Sequence, residues 1–157
     1  MKKEFLMIIL ISIILITGCN AIEEQKAERI IKKYYNAIMH EDYEKAFEVL
    51  VLFDYDSETG KGHYTEGTTL SYEEAKRQYG EKIDVLKEQN YKLRDFEIVE
   101  VEYEDGHSFW HHIKLTVLKD GKEFEWNEIA DIYDGKLVIG IKDDPYAKYR
   151  DGQLEVQ

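Results

Sequence analysis

Proline and cysteine each occur once in the 157 residues. A lone cysteine cannot close an internal disulfide, and no cysteine–histidine cluster has the spacing of a zinc site. With so little proline, 43% hydrophobic and 34% charged residues, the composition is that of a globular chain, not a fibrous or disordered one, and its length suits one domain. Basic charge is also scarce. Lys and Arg number 21 against 33 Asp and Glu, leaving −12, which speaks against nucleic acid as a partner because phosphate binding needs a basic face. Nor is there a long hydrophobic run. The apolar stretch 5–17 has 13 residues, with only Ser12 and Thr17 polar, and a helix needs about 20 to span a bilayer core.

What that stretch does resemble is a leader. Met1-Lys2-Lys3 is a positive start, and a short apolar segment follows it, the pattern of a secretory signal peptide. Leu15-Ile16-Thr17-Gly18-Cys19 is similar to the lipobox of bacterial lipoproteins. That resemblance implies removal of residues 1–18, a diacylglycerol thioether on Cys19, and a mature chain of residues 19–157 held at the extracytoplasmic face of the cell membrane. Two acyl chains make a stable anchor, since each buried CH₂ contributes about 0.8 kcal/mol and one chain alone is marginal. Cys19 is then a lipid carrier and not a redox or catalytic thiol. The alternative is an uncleaved signal anchor in which Cys19 is an ordinary small residue.

Helical periodicity begins soon after Cys19, with no Pro/Gly/Ser-rich linker between. Ala27, Ile30, Ile31, Tyr34 and Ile38 form one apolar stripe, and Glu28–Lys32 is a favourable i,i+4 pair on the polar side. Asp42 reads as the N-cap of a second helix carrying Tyr43, Ala46, Phe47, Leu50 and Val51. Residues 54–70 are polar and glycine-containing, a loop with room for a short edge strand. Ser71 and Glu74 match a capping box for a third helix that presents Tyr72, Ala75, Tyr79, Ile83 and Leu86, with Gly80 as its weak point.

From Tyr91 the period becomes two, punctuated by Asp105-Gly106, Asp120-Gly121 and Asp134-Gly135. Asp-Gly between alternating runs signals a type I′ hairpin turn, so these residues predict a four-stranded antiparallel meander. Two-residue turns would set Glu104 against His107, Lys119 against Lys122 and Tyr133 against Lys136. One face then gathers Phe96, Ile98, Phe109, Ile113, Leu115, Val117, Phe124, Trp126, Ala130, Ile132, Leu137, Ile139 and Ile141, and the helices must cover it. Long twisted strands tend to take bulges, each of which shifts the register beyond it. The expected fold is α+β: N-terminal helices packed on a curved four-stranded antiparallel meander in a single domain, 19–142, followed by a polar, loosely ordered tail, 143–157.

The segment Tyr34-Tyr35-Asn36-Ala37-Ile38 through Asp42-Tyr43-Glu44-Lys45-Ala46-Phe47, and the order of helices before meander, resemble the nuclear transport factor 2-like superfamily of α+β cones. The resemblance implies a cone with a pocket on the apolar face. It also implies either a non-catalytic binding module or an isomerase- or dehydratase-like enzyme, because fold does not choose between them.

Three ionisable residues interrupt the apolar face. In the simple register Glu100 stands opposite His111, and Glu128 is diagonal to it on the next strand. A histidine between carboxylates in apolar surroundings is a candidate general base; the alternatives are a polar ligand floor, a wet rim or one satisfied buried pair. Asp54-x-Asp56-x-Glu58 has Thr59 and Thr65 where a calcium loop requires glycine and glutamate, so no metal is expected, and no motif asks for another cofactor. Val99, Val101, Trp110, Ile129, Tyr133 and Val138 form an apolar patch on the other face, suited to a homodimer through the sheet or to an envelope protein, with Trp110 as its first test. Taken together, the sequence favours a lipid-anchored module that binds a partner or a small apolar ligand. Acid–base catalysis by His111 with Glu100 or Glu128 is the rival.

Overall fold

The computed structural model describes residues 22–56, 58–104 and 108–156; the leader, Cys19 and the Asp105-Gly106 turn lie outside them. Helix α1 occupies residues 22–39, and Ala27, Ile31, Tyr34 and Ile38 of its stripe are buried, joined by Tyr35 and Ala37. Helix α2, Tyr43–Val49, starts at Asp42, whose side chain accepts from the Lys45 N–H, and it places Ala46 and Phe47 in the core. The helix ends before Leu50 because the chain turns extended there. Leu50 bridges Leu137 in parallel, and Val51 N–H donates to the Leu137 carbonyl at 2.8 Å. Helix α3, Tyr72–Glu88, carries the full Ser71/Glu74 capping box and runs through Gly80 without a break; Ala75, Tyr79, Ile83 and Leu86 are buried, whereas Tyr72 is exposed.

Strands β2 (Tyr91–Glu104), β3 (Ser108–Lys119), β4 (Lys122–Tyr133) and β5 (Lys136–Lys142) form an open antiparallel sheet in that order. Asp120 and Gly121 have φ of 48° and 77°, and Asp134 and Gly135 have 49° and 73°. These left-handed pairs are what a type I′ turn demands, and they set Lys119 against Lys122 and Tyr133 against Lys136 as expected. Ile113, Leu115, Val117, Ala130 and Leu137 lose all exposure in one core with the inward faces of the three helices. Each fully buried aliphatic side chain of this kind contributes roughly 1.5–3 kcal/mol. The protein is thus α+β, with helices on one face of an open four-stranded sheet.

The register departs from the simple one in three places. Arg94 and Val99 are extra residues in β2, and beyond Val99 the strand's facing is reversed, so Glu100 pairs with His112, Val101 with His111, and Glu104 with Ser108 instead of His107. In β5 an extra residue around Gly140 and Ile141 moves Glu128 opposite Lys142. Ile141, expected in the core, is 69% exposed in consequence. Phe124 also keeps 39% of its surface exposed, stacked on Trp126 near the turn end of β4.

The C-terminal segment is the larger correction. Residues 143–156 are not a loose extension: Asp144, Ala147, Arg150, Asp151 and Leu154 are buried. Strand β6, Gln153–Glu155, pairs in parallel with β1, Phe53–Tyr55, inside the loop region that followed α2. Gly152 allows this contact, since a Cβ there would lie 1.8 Å from the Val51 carbonyl oxygen. The segment is polar because its charges meet opposite charges inside the protein. Among the described residues no helix is long and apolar enough to cross a membrane.

Candidate functional site

The expected trio does not assemble. The Val99 bulge sends Glu100 out of register with His111, and Glu100 is exposed. His111 is buried, between Val101 on β2 and Ala130 on β4. Glu128, opposite Ile113, does lie diagonal to His111 and is buried, but its carboxylate is already engaged. Arg150 donates through Nη2 to Glu128 Oε1 and through Nη1 to Oε2 at 3.2 Å, and Tyr35 donates its hydroxyl to Oε2 at 2.8 Å.

Arg150 is the hub of this inner site, and sequence reasoning missed it. Its Nη2 also donates to Asp144 Oδ2 at 2.8 Å, and its Nε donates to the Tyr91 hydroxyl at 3.1 Å, which in turn donates to Asp144 Oδ2 at 2.8 Å. Tyr34 closes the backbone side by donating to the Arg150 carbonyl at 2.6 Å. A second tier balances the charge. Lys82 donates to Asp151 Oδ1 at 2.8 Å and to the Gln153 carbonyl at 2.6 Å, and Lys142, turned inward by the β5 bulge, reaches Asp151 Oδ2. Three cations thus face three carboxylates.

Burial opposes the charge on Arg150, but Glu128, with Tyr91, Tyr34 and Asp144, outweighs it and holds the guanidinium firmly protonated. Burial, reinforced by Glu128, pushes the Tyr35 hydroxyl well above the usual phenol range; burial does the same to Tyr34, Tyr79 and Tyr91. Lys82 is shifted down by burial, with Asp151 opposing. A bidentate Arg–carboxylate pair has a fixed geometry, and here neither partner has surface left for a substrate. The arrangement clamps the C-terminal segment beneath the sheet. Two signals pointed to it: Glu128 in an apolar strand needs a cation, and Tyr34 and Tyr35 on a helical stripe need acceptors.

A small open cleft lies on the opposite face of the sheet. The short 3-10 turn Tyr64–Glu66 brings Tyr64 beside β4 and β5, where it packs edge-on against Tyr133 at 5.2 Å between ring centroids. Tyr64, Trp110, Ile129, Asp131, Val138 and Ile141 line a cleft of about 130 Å³. Trp110 is 36% exposed, in keeping with the sequence reading of this face as an apolar patch, although Val138 is buried and Val101 has turned to the other side.

In the 54–70 loop, Asp54 accepts from Thr68 and Thr69, and Asp56 from Thr59 and Glu58 N–H, so these carboxylates organise the loop itself. Among the described residues no group of three potential ligands could hold a metal ion. Cys19 lies outside the described residues. The chain matches no family model, no curated protein and no solved structure.

Proposed function

We propose that this protein is a lipoprotein held at the extracytoplasmic face of the cell membrane by acyl chains on Cys19, and that its domain, a nuclear transport factor 2-like cone, binds a partner or small ligand without catalysing a reaction. The lipobox-like Leu15–Cys19 segment supports the anchor. The observation that carries the non-catalytic reading is the engagement of Glu128. A general base needs a free lone pair within reach of substrate, whereas both Glu128 oxygens are taken up by Arg150 and Tyr35 out of contact with solvent. Binding falls instead to the outer face at Trp110, which is where an envelope protein, a second copy or a small apolar ligand would meet the domain.

Labelling with a palmitate analogue in the host, with Cys19→Ala as control, tests the anchor: incorporation by the wild type alone is expected, and equal labelling of both overturns it. Crosslinking at the membrane then compares wild type with Trp110→Ala. Loss of specific partners is expected in the variant, and identical partner sets count against binding through this face.

A further inference from the structure

The outer cleft combines an acid with aromatic and aliphatic walls. Asp131 lies opposite Val138 on β5, half-buried, and its Oδ1 accepts the Ile132 N–H at 2.7 Å. Burial pushes its carboxyl up, opposed by that N–H and by the charge of His111 through the sheet; among the described residues no lysine or arginine contributes. A carboxylate partly removed from water, with no lysine or arginine among the described residues beside it, favours a cation brought from outside.

The walls decide which cation. A primary ammonium has three N–H donors and needs acceptors for them, but around Asp131 the cleft presents Ile129, Val138 and Ile141. A quaternary ammonium has no donors, an apolar skin and a full charge, and it is attracted to the faces of Trp and Tyr. The cleft volume of about 130 Å³ leaves room for a trimethylammonium head. We propose that the Tyr64–Trp110–Asp131 cleft binds a quaternary ammonium group, its methyls against the two aromatic residues and its charge facing the carboxylate. This rests on the reading of the protein as a binding module and names its ligand chemistry, which a free choline-like solute or a phosphatidylcholine headgroup could supply.

The test uses the full chain in a maltoside detergent with nitrogen-labelled tryptophan. Trp126 lies on the inner face, stacked with Phe124 and Tyr91, and serves as an internal reference for Trp110. Choline, dihexanoylphosphatidylcholine and dimethylbutanol, the uncharged carbon isostere of choline, are titrated separately. A saturable shift of the Trp110 indole signal with Trp126 unmoved is expected for either cation, and their relative affinities tell the two sources apart. The isostere should bind about tenfold more weakly or worse, as should choline to Asp131→Asn or Tyr64→Leu. Equal binding of choline and isostere would make the cleft merely apolar, and a Trp110 shift that follows protein concentration without ligand would make it a contact between copies. Either result, or no shift with any probe, overturns the proposal. If the protein still incorporates palmitate and loses crosslinked partners in Trp110→Ala, the broader reading survives that failure.

Discussion

Arg150 has no water to retreat to, and that sets the cost of removing it. Breaking a buried ion pair leaves the partner charge uncompensated, at about 3–5 kcal/mol, and here Glu128 and Asp144 would both be stranded. Arg150→Leu should therefore lower the free energy of unfolding, read from urea titration, by that amount, while additional Glu128→Leu and Asp144→Leu changes should recover much of the loss. A single-variant loss no larger than an exposed pair's, about 1 kcal/mol or less, would show that the guanidinium is not desolvated. The tyrosines make a second prediction at this scale. Tyr34, Tyr35, Tyr79 and Tyr91 hold their protons in the fold well above the usual value of 10.0. Above pH 10 the unfolded chain binds fewer protons than the folded one, so stability falls as pH rises. Tyrosinate absorbance should rise in two phases, the second coinciding with loss of far-UV ellipticity; one smooth phase with the fold intact would contradict their burial.

At the scale of elements, the closest fit is between Gly152 and the chain leaving α2. Gly152→Ala drives a Cβ into the Val51 carbonyl, against backbone that cannot rotate aside. Overpacking of this kind costs about 1–3 kcal/mol, and the amides of β1 and β6 should lose hydrogen-exchange protection before those of β3; unchanged protection would mean that the two strands are not paired. The difference between β3 and β6 also explains how much the sequence could reveal. The α1 and α3 stripes, the Asp42 cap, the Ser71/Glu74 box and the turns at Asp120-Gly121 and Asp134-Gly135 are local: each is written in residues a few positions apart, and each forms as read save for Tyr72, which stays exposed at the start of α3. The bulges at Arg94, Val99 and Gly140–Ile141 are not, because an extra residue is fixed by how a twisted strand meets its neighbour. The Val99 bulge alone dissolves the Glu100–His111 pairing on which the catalytic trio depended. The tail failed for a related reason. Polarity reads as exposure only until the partners are known, and besides nearby Asp144 those of Arg150 lie 22 and 59 positions away in Glu128 and Tyr91. At the open edge of the sheet, the two bulges and the exposed charges of Arg94, Asp95 and Glu97 serve another end, making β2 a poor template for edge-to-edge pairing.

For the whole molecule, the decisive quantity is net charge. Only Lys2, Lys3 and Glu4 are ionisable among the first 18 residues, and together they are net positive, so the globule itself is at least as acidic as the whole chain's −12. An anionic leaflet attracts basic segments by about 1 kcal/mol per Lys or Arg, and by the same field it repels this domain. Under the proposed anchoring, attachment is then the work of the acyl chains and not of charge, with electrostatics holding the globule off anionic headgroups. The domain cut to begin at residue 20 should stay in solution with phosphatidylserine vesicles even at low salt, where attraction would be greatest. The acylated chain should remain bound to neutral and anionic vesicles alike, and added salt should not release it. Co-sedimentation of the unacylated domain with anionic vesicles, reversed by salt, would reveal a basic face that the overall composition hides and would give the domain a membrane contact of its own.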